Sequence, residues 1–323
     1  MRSDRFACFA LIFCLFATSV VAAPLRIVVV SDLNGSYGSV DYAPRVARAM
    51  EAIVRLGPDL VLSTGDMVAG QRRPHLSDAQ VRAMWRGFHA VVSDPLEAAG
   101  IPFAVTPGNH DASAYRGFEL ERRIYADQWQ SRRPNVEFVD GRDYPFFYAF
   151  DMGGVRFVSL DATTVGALGQ DQMARLDAVL EGADGPSIAF SHLPLWPVSV
   201  GRETQIIGST ALSDLFERRH LTMHLSGHHH AYYPGVSDGI AYIAQACLGS
   251  GARRLIGESG RSAHGFTVLD VAEDGTLSVH ARLAPDYEEV WPISELPSRI
   301  VSDVATLTRL DLSGLSAVRA GGE

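Results

Sequence analysis

The chain has 323 residues and an acidic balance, with 37 acidic residues against 28 basic ones and a formal net charge of −9. Every basic residue is an arginine and none belongs to a long basic run, so the sequence predicts no nucleic-acid groove, which would need clustered positive charge. A chain of this length buries about 75% of its unfolded surface, and it can be stable without disulfides.

The N-terminal segment 1–23 has the features of an export signal. Two arginines precede an apolar stretch at 6–17, and the small residues Ala22 and Ala23 suit cleavage after Ala23. The apolar stretch is shorter than the ~20 residues of a membrane-spanning helix. We therefore expect cleavage after Ala23, no stable membrane anchor after cleavage, and a periplasmic or secreted protein.

The segment from Leu25 to about His192 alternates strand-like apolar runs with helical patterns. Two further pairs of strand-like runs indicate hairpins, at 146–150 with 155–160 and at 266–271 with 276–281. This alternation predicts an α/β fold with a parallel core, antiparallel additions, and two sheets packed face to face with helices outside. The helical patterns cover 42–56, 77–99, 170–180 and 212–219.

Residues 24–284 are predicted to form one catalytic domain, because the motif residues described below span positions 32 to 230 and two domains would divide them. The last segment, 285–323, is predicted to be a peripheral tail. It has a weak helical pattern at 300–310 and a Gly-rich end that we expect to be mobile.

Five strand-like runs are each followed by residue types that bind metals. In an open α/β sheet, ligands bind beyond the carboxyl ends of the strands, so residues distant in sequence would meet there. Carboxylate, imidazole and amide oxygen together suit divalent cations of intermediate hardness, such as manganese, iron or zinc. Two such cations ~4 Å apart need a bridging anion, for which we favour Asp66. The five blocks are Asp32 with Asn34, Asp66, Asn109 with His110 and Asp111, His192, and His228 with His230.

These blocks resemble the signature of the calcineurin-like metallophosphoesterases, from Leu25 to about Ala281. The family pattern is Asp-x-His, Gly-Asp, Gly-Asn-His-Asp/Glu, His and Gly-His-x-His. The resemblance implies a four-layer α-β-β-α sandwich of two mixed sheets flanked by helices. It also implies two divalent metal ions and the hydrolysis of a small phosphoester by a metal-activated hydroxide.

The resemblance further assigns individual roles. His110 would bind no metal, but would lie over the phosphoryl group and stabilise charge or protonate the leaving oxygen, with Asp111 orienting its ring. One cation would be held by Asp32, Asp66 and His230, and the other by Asp66, Asn109, His192 and His228.

The first block departs from the family pattern, because Asn34 stands where the family has histidine. An amide oxygen is neutral and a weaker donor than imidazole, so the first metal position should bind its ion less tightly or select a harder ion. We predict that Asn34 remains a ligand.

Several alternatives stay open at this stage. The chain could be a pyrophosphate-cleaving hydrolase, or a non-catalytic binding or scaffold protein with a partly decayed site, for which Asn34 is the only support. A purple acid phosphatase would need a tyrosine ligand shortly after the Gly-Asp block, and residues 67–70 supply none.

Segment 193–208, which follows His192, is the candidate substrate rim.

Overall fold

The computed structural model describes residues 24–321, so the predicted signal at 1–23 lies outside the described residues. The helices are α1 (Pro44–Leu56), α2 (Asp78–Phe88), α3 (Asp94–Ala98), α4 (Glu119–Gln130), α5 (Gln170–Glu181) and α6 (Thr210–Arg218). The strands are β1 (Leu25–Val30), β2 (Leu60–Ser63), β3 (Phe103–Val105), β4 (Glu137–Asp143), β5 (Phe147–Met152), β6 (Val155–Ser159), β7 (Ser187–Ser191), β8 (Met223–Ser226), β9 (Tyr233–Ser237), β10 (Ile240–Ala244), β11 (Gly265–Val271), β12 (Leu277–Leu283), β13 (Arg299–Val301), β14 (Thr306–Arg309) and β15 (Val318–Ala320).

Two mixed sheets form the centre of the molecule. The six-stranded sheet has the order β15-β12-β11-β1-β2-β3, and the nine-stranded sheet has the order β13-β14-β9-β10-β8-β7-β6-β5-β4. The parallel cores are β1-β2-β3 in one sheet and β6-β7-β8-β10 in the other. Helices flank both sheets, so the predicted α/β sandwich is confirmed, as are the hairpins β5-β6 and β11-β12.

Polar bonds join the two sheets close to the carboxyl end of β3. The hydroxyl of Tyr148, on β5, donates to the carbonyl of Val105 (2.7 Å) and accepts from its N–H (2.9 Å). The hydroxyl of Thr106 donates to the carbonyl of Leu160 at 3.0 Å. These groups are buried, where an unpaired hydroxyl would destabilise the fold. The block beginning at Gly108 is therefore held against the second sheet.

Local sequence signals explain where the first helices begin and end. Helix α1 has Pro44 in its first turn and ends at Gly57, which has φ 57° and donates its N–H to the carbonyl of Ile53. Helix α2 begins with a capping box between Ser77 and Gln80. The predicted helices at 42–56, 170–180 and 212–219 are confirmed to within two residues at each end.

The predicted helix at 77–99 is instead divided into three pieces. Between α2 and α3 lies a π-helical turn, His89–Ser93, in which the N–H of Asp94 donates to the carbonyl of His89. Pro95 follows, and it has no N–H with which to continue the α-helical pattern. Periodicity alone did not reveal this wider turn.

The tail shows that the helical pattern predicted at 300–310 is wrong. Strands β13 and β14 pair antiparallel, β14 pairs with β9, and β15 pairs in parallel with β12. Ile300 is buried between exposed neighbours, and Leu307 is buried on the next strand, which is the two-residue alternation of a strand. The tail therefore extends both sheets.

Helix α4 and strand β4 were not among the predicted elements.

Within residues 24–321, no helix combines the length and apolarity that a membrane crossing requires.

His89 lies in an aromatic cluster, with its ring centroid 5.7 Å from those of Trp85 and Trp129. Burial, together with the charge of Arg132, lowers the pKa of His89 to about 4. The unfolded chain would take up this proton near the ordinary value of about 6.5. Stability from the neutral imidazole is therefore fully present above pH 6.5 and is lost as the pH falls toward 4.

We predict that the His89→Gln variant loses this dependence on pH. The free energy of unfolding of the wild type, minus that of the variant, should fall by about 2 kcal/mol between pH 7 and pH 5, because only the wild type gains a proton on unfolding. Urea unfolding at the two pH values measures the difference. An equal difference at both would contradict burial of a neutral His89.

Candidate dinuclear metal site

The five predicted blocks meet where the parallel strands of the two sheets end. The loops after β1 and β2 are joined by the N–H of Asp32, which donates to the carbonyl of Gly65 at 3.1 Å. The loops after β7 and β8 are joined by the N–H of Gly227, which donates to the carbonyl of His192 at 3.0 Å. His192 also links the sheets, because its Nδ1 lies 2.8 Å from the carbonyl oxygen of Thr64.

Four of the predicted ligands have left-handed backbone conformations. The φ angles are 49° at Asp32, 55° at Asp66, 62° at His228 and 50° at His230. Such conformations are unfavourable for residues with a side chain, and they concentrate at functional sites. Here each one turns the chain sharply just after a strand, so that the side chain lies in the cluster rather than along the strand.

The residues predicted for the second metal position, Asp66, Asn109, His192 and His228, lie together in the structure. Because Nδ1 of His192 donates to a carbonyl, its Nε2 has a free lone pair in the neutral ring. This Nε2 lies 2.9 Å from Oδ1 of Asn109, 3.3 Å from Oδ2 of Asp66 and 3.2 Å from Nδ1 of His228. Ligand atoms of Asp66, His192 and His228 all lie within 4.8 Å of one another.

Two glutamines fix the orientation of these ligands. Gln71 accepts a hydrogen bond from Nδ2 of Asn109 at 2.8 Å, which directs the amide oxygen toward His192. Oε1 of Gln205 lies 2.9 Å from Nε2 of His228, so this nitrogen donates and Nδ1 is left with a lone pair.

With His192 neutral, the second position therefore brings together four lone-pair atoms and no hydrogen-bond donor. Burial lowers the pKa of His192, but the Asp66 carboxylate outweighs burial and raises it to about 9, which shows how strongly this cluster attracts positive charge. The pKa of Asp66 is held well below its usual range by His192 and His110, despite burial. A divalent cation satisfies all four atoms at once, so the residues fit a metal ion.

The predicted first metal position is arranged in the same way, with a backbone carbonyl that fixes the histidine ring. Nδ1 of His230 lies 2.9 Å from the carbonyl of Gly251, so Nε2 offers its lone pair, 2.9 Å from Oδ1 of Asp32. The other Asp32 oxygen accepts from the N–H of His228 at 3.1 Å. Asn34 is almost fully buried beside this position, and the hydroxyl of Ser250 donates to its Oδ1.

His110 lies at the rim of the site. Its N–H donates to Oδ1 of Asp66 at 2.8 Å, and its Nε2 lies 3.8 Å from Oδ2 of the same residue. Its ring meets the ring of Tyr37 edge to face, with centroids 5.1 Å apart. Its side chain keeps 22% of its surface exposed, so it is accessible from the solvent side.

The predicted role of Asp111 in orienting the His110 ring is wrong. The oxygens of Asp111 accept the N–H groups of Gly108 (2.6 Å) and Met67 (2.8 Å), while Nδ1 of His110 has no hydrogen-bond partner within residues 24–321. Burial and the nearby Asp66 raise the pKa of Asp111 to about 7. Asp111 instead ties the loop after β3 to the loop after β2.

Segment 193–208, the candidate substrate rim, is held in place by His229, a contact that the sequence did not predict. His229 is fully buried, and its Nδ1 accepts the N–H groups of Val198 and Ser199 at 3.2 and 3.3 Å. Its Nε2 lies 3.1 Å from the carbonyl of Gln205, so that nitrogen donates. The middle histidine of the triplet thus holds the segment whose glutamine orients His228. No sequence motif marks that glutamine.

The sequence model of the calcineurin-like phosphoesterases matches residues 25–232. The chain belongs to this family. The family is one of phosphoester hydrolases, and its members generally use a dinuclear divalent metal site. No protein in a curated collection matches the sequence.

Solved structures of similar fold include three with low sequence identity, and these show the fold alone. A purple acid phosphatase from yellow lupin seeds has a TM-score of 0.65 at 17% identity; the match covers 84% of this chain but only 53% of the lupin chain. A dimetal phosphatase from Danio rerio gives 0.58 at 16% identity, covering 80% of this phosphoesterase and 96% of that chain. The anchor in the inner membrane complex of Plasmodium gives 0.54 at 15%, covering 83% and 87%.

We predict that Gly108→Ala prevents tight metal binding. A Cβ atom at this glycine would lie 2.1 Å from the backbone nitrogen of Asp66 and 2.3 Å from its Oδ1, so the carboxylate would have to move. Calorimetric titration with Mn²⁺ or Zn²⁺ should show affinity reduced by at least about 10-fold, the scale of disrupted ligand support.

The matched control is Gly260→Ala, because a Cβ atom there would meet nothing within 4 Å. Its metal affinity should equal that of the wild type. Unchanged binding in Gly108→Ala would mean that Asp66 is not a ligand.

Proposed function

We propose that this phosphoesterase is an exported enzyme that hydrolyses a small phosphoester at a two-metal site. Asp66 would hold both cations. The first position is completed by Asp32, His230 and Asn34, and the second by Asn109, His192 and His228. The observation that carries this proposal is the convergence of lone-pair atoms on His192 Nε2, at 2.9 to 3.3 Å, with no donor among them in the neutral ring.

The residues around the cluster hold the ligands before substrate arrives. Carbonyls of Thr64 and Gly251 fix the ring orientation of His192 and His230. The amide of Gln205 does the same for His228. When bound, divalent cations supply positive charge for the phosphoryl oxygens and lower the pKa of coordinated water toward about 7. The rigid, buried donor set keeps the geometry fixed during the reaction.

His110 is placed to act on the leaving group. It lies at the rim beside the bridging carboxylate, is partly exposed, and has no hydrogen-bond partner at Nδ1 within the described residues. A protonated imidazole there can donate to the leaving oxygen as the phosphoester bond breaks, or offset charge on the phosphoryl group.

A binding or scaffold function is the second candidate. The same fold occurs in the Plasmodium anchor, so the fold alone does not decide between catalysis and binding. The complete second position and the accessible His110 favour catalysis, because a scaffold has no use for either. Pyrophosphate substrates fit the proposed site chemistry as well as monoesters and diesters do.

We predict metal-dependent hydrolysis by the purified protein. After chelation and restoration with manganese, zinc, magnesium or iron, at least one class among phosphomonoesters, cyclic and linear diesters and nucleotide pyrophosphates should be hydrolysed. Asp66→Ala should abolish turnover with every metal, since it removes the bridge. If the wild type hydrolyses no class with any metal, the scaffold candidate replaces this proposal.

We predict that His110→Asn lowers kcat by about 10²–10⁴-fold, the contribution of a positioned general acid, while metal content stays at the wild-type value. Steady-state kinetics and elemental analysis measure the two quantities. His220→Asn is the control, because His220 is exposed. It precedes β8 at the amino end of that strand, whereas the site lies beyond the carboxyl end. Wild-type turnover in His110→Asn would exclude the acid role.

Export is supported by the sequence of segment 1–23 and by the start of β1 at Leu25, directly after Pro24. Expression of the full chain in a bacterial host with N-terminal sequencing of the periplasmic product should give Pro24 as the first residue. An intact N-terminus on a cytoplasmic product would contradict export.

A further inference from the structure

Segment 248–251, which we call the strap, lies outside the region matched by the family model yet contacts the residues of the first metal position. The N–H groups of Gly249 and Ser250 both donate to the carbonyl of Asp32, at 2.9 and 3.1 Å. The carbonyl of Gly251 accepts from Nδ1 of His230 at 2.9 Å. The strap therefore supports two predicted ligands of this position through its backbone.

Arg45, on α1, fixes the strap from outside. Its Nε donates to the carbonyl of Leu248 and its Nη2 to the carbonyl of Gly249, both at 2.5 Å. The strap packs directly on the first block, since a Cβ atom at Gly249 would lie 1.8 Å from the carbonyl oxygen of Leu33. Its position relative to Asn34 is therefore set by the fold and not by a flexible loop.

The Ser250 side chain joins the strap to Asn34 by a hydrogen bond. Its hydroxyl donates to Oδ1 of Asn34 and also lies 3.2 Å from the Asn34 carbonyl oxygen. An amide can turn over about its last torsion and present NH₂, which cannot bind a cation, in place of oxygen. In the orientation that the structure shows, the Ser250 hydroxyl donates to Oδ1, and this hydrogen bond favours the amide oxygen over NH₂ at that place. The oxygen keeps a second lone pair.

We propose that Ser250 is a positioning residue that fixes the amide of Asn34 and thereby sets the affinity of the first metal position. This inference rests on the proposed two-metal site. A histidine at position 34 would have no carboxamide to orient, so the Ser250 hydroxyl would lose this role there. In the natural chain the strap supplies the donor that the Asn34 amide oxygen meets. The pairing of Asn34 with Ser250 thus offsets the departure from the family pattern.

The test is a double-mutant cycle on metal affinity, using Mn²⁺ as the probe, with calorimetric titration and elemental analysis after dialysis. Ser250→Ala should bind the first ion about 10- to 100-fold more weakly, as for other residues that support ligands, and leave the second ion unchanged. Ser250→Thr keeps the hydroxyl and should bind like the wild type. In an Asn34→His background, Ser250→Ala should have no effect.

Three outcomes would overturn the inference. Equal or tighter binding of the first ion in Ser250→Ala would show that the hydroxyl does not orient a ligand. An equal loss in both backgrounds would show that the hydroxyl supports the first position by a route other than the Asn34 amide. A wild type that binds one ion at saturation would refute the two-metal site itself. Absence of hydrolysis with two bound ions would refute the proposed function alone and leave the role of Ser250 standing.

Discussion

The whole site depends on one buried carboxylate that has to be satisfied between two sheets. Asp66 is 1% exposed, on a left-handed turn at the end of β2. Burying an isolated carboxylate is strongly unfavourable, so it persists only where donors and positive charge surround it. The N–H of His110 and the ring of His192 come from the loops after β3 and β7, one from each sheet. The sandwich must hold these loops together for Asp66 to remain charged.

The sequence predicted the site well where a motif residue directly follows a strand-like apolar run. Apolar runs located the strands, and strand ends located the blocks that carry Asp32, Asp66 and His192, because parallel strands share an edge. The supporting contacts were not visible. Thr64 and Gly251 act through carbonyl groups, which every residue has, so their identity carries no signal. Asp111 was misjudged because two backbone N–H groups, invisible in a sequence, take both of its oxygens.

Errors in the secondary structure have equally local causes. The π-helical turn was not predicted because Pro95 interrupts a helical pattern that is otherwise regular. The tail strands are three or four residues long, too short for a two-residue alternation to outweigh a chance helical pattern. Their pairing depends on partners in β9 and β12, which lie far away in sequence. Long-range pairing was therefore the main limit on prediction, and it affected the periphery more than the metal site.

The short tail strands also affect the solubility of the molecule. Strand β12 has seven residues and β9 has five, and each would be an open edge without its tail partner. A long open edge offers unpaired N–H and carbonyl groups to another chain, whereas a three-residue edge strand offers few. With β13 and β15 in place, both sheets end at their tail side in strands of three residues. The tail strands between residues 299 and 320 thereby protect the protein against edge-to-edge aggregation.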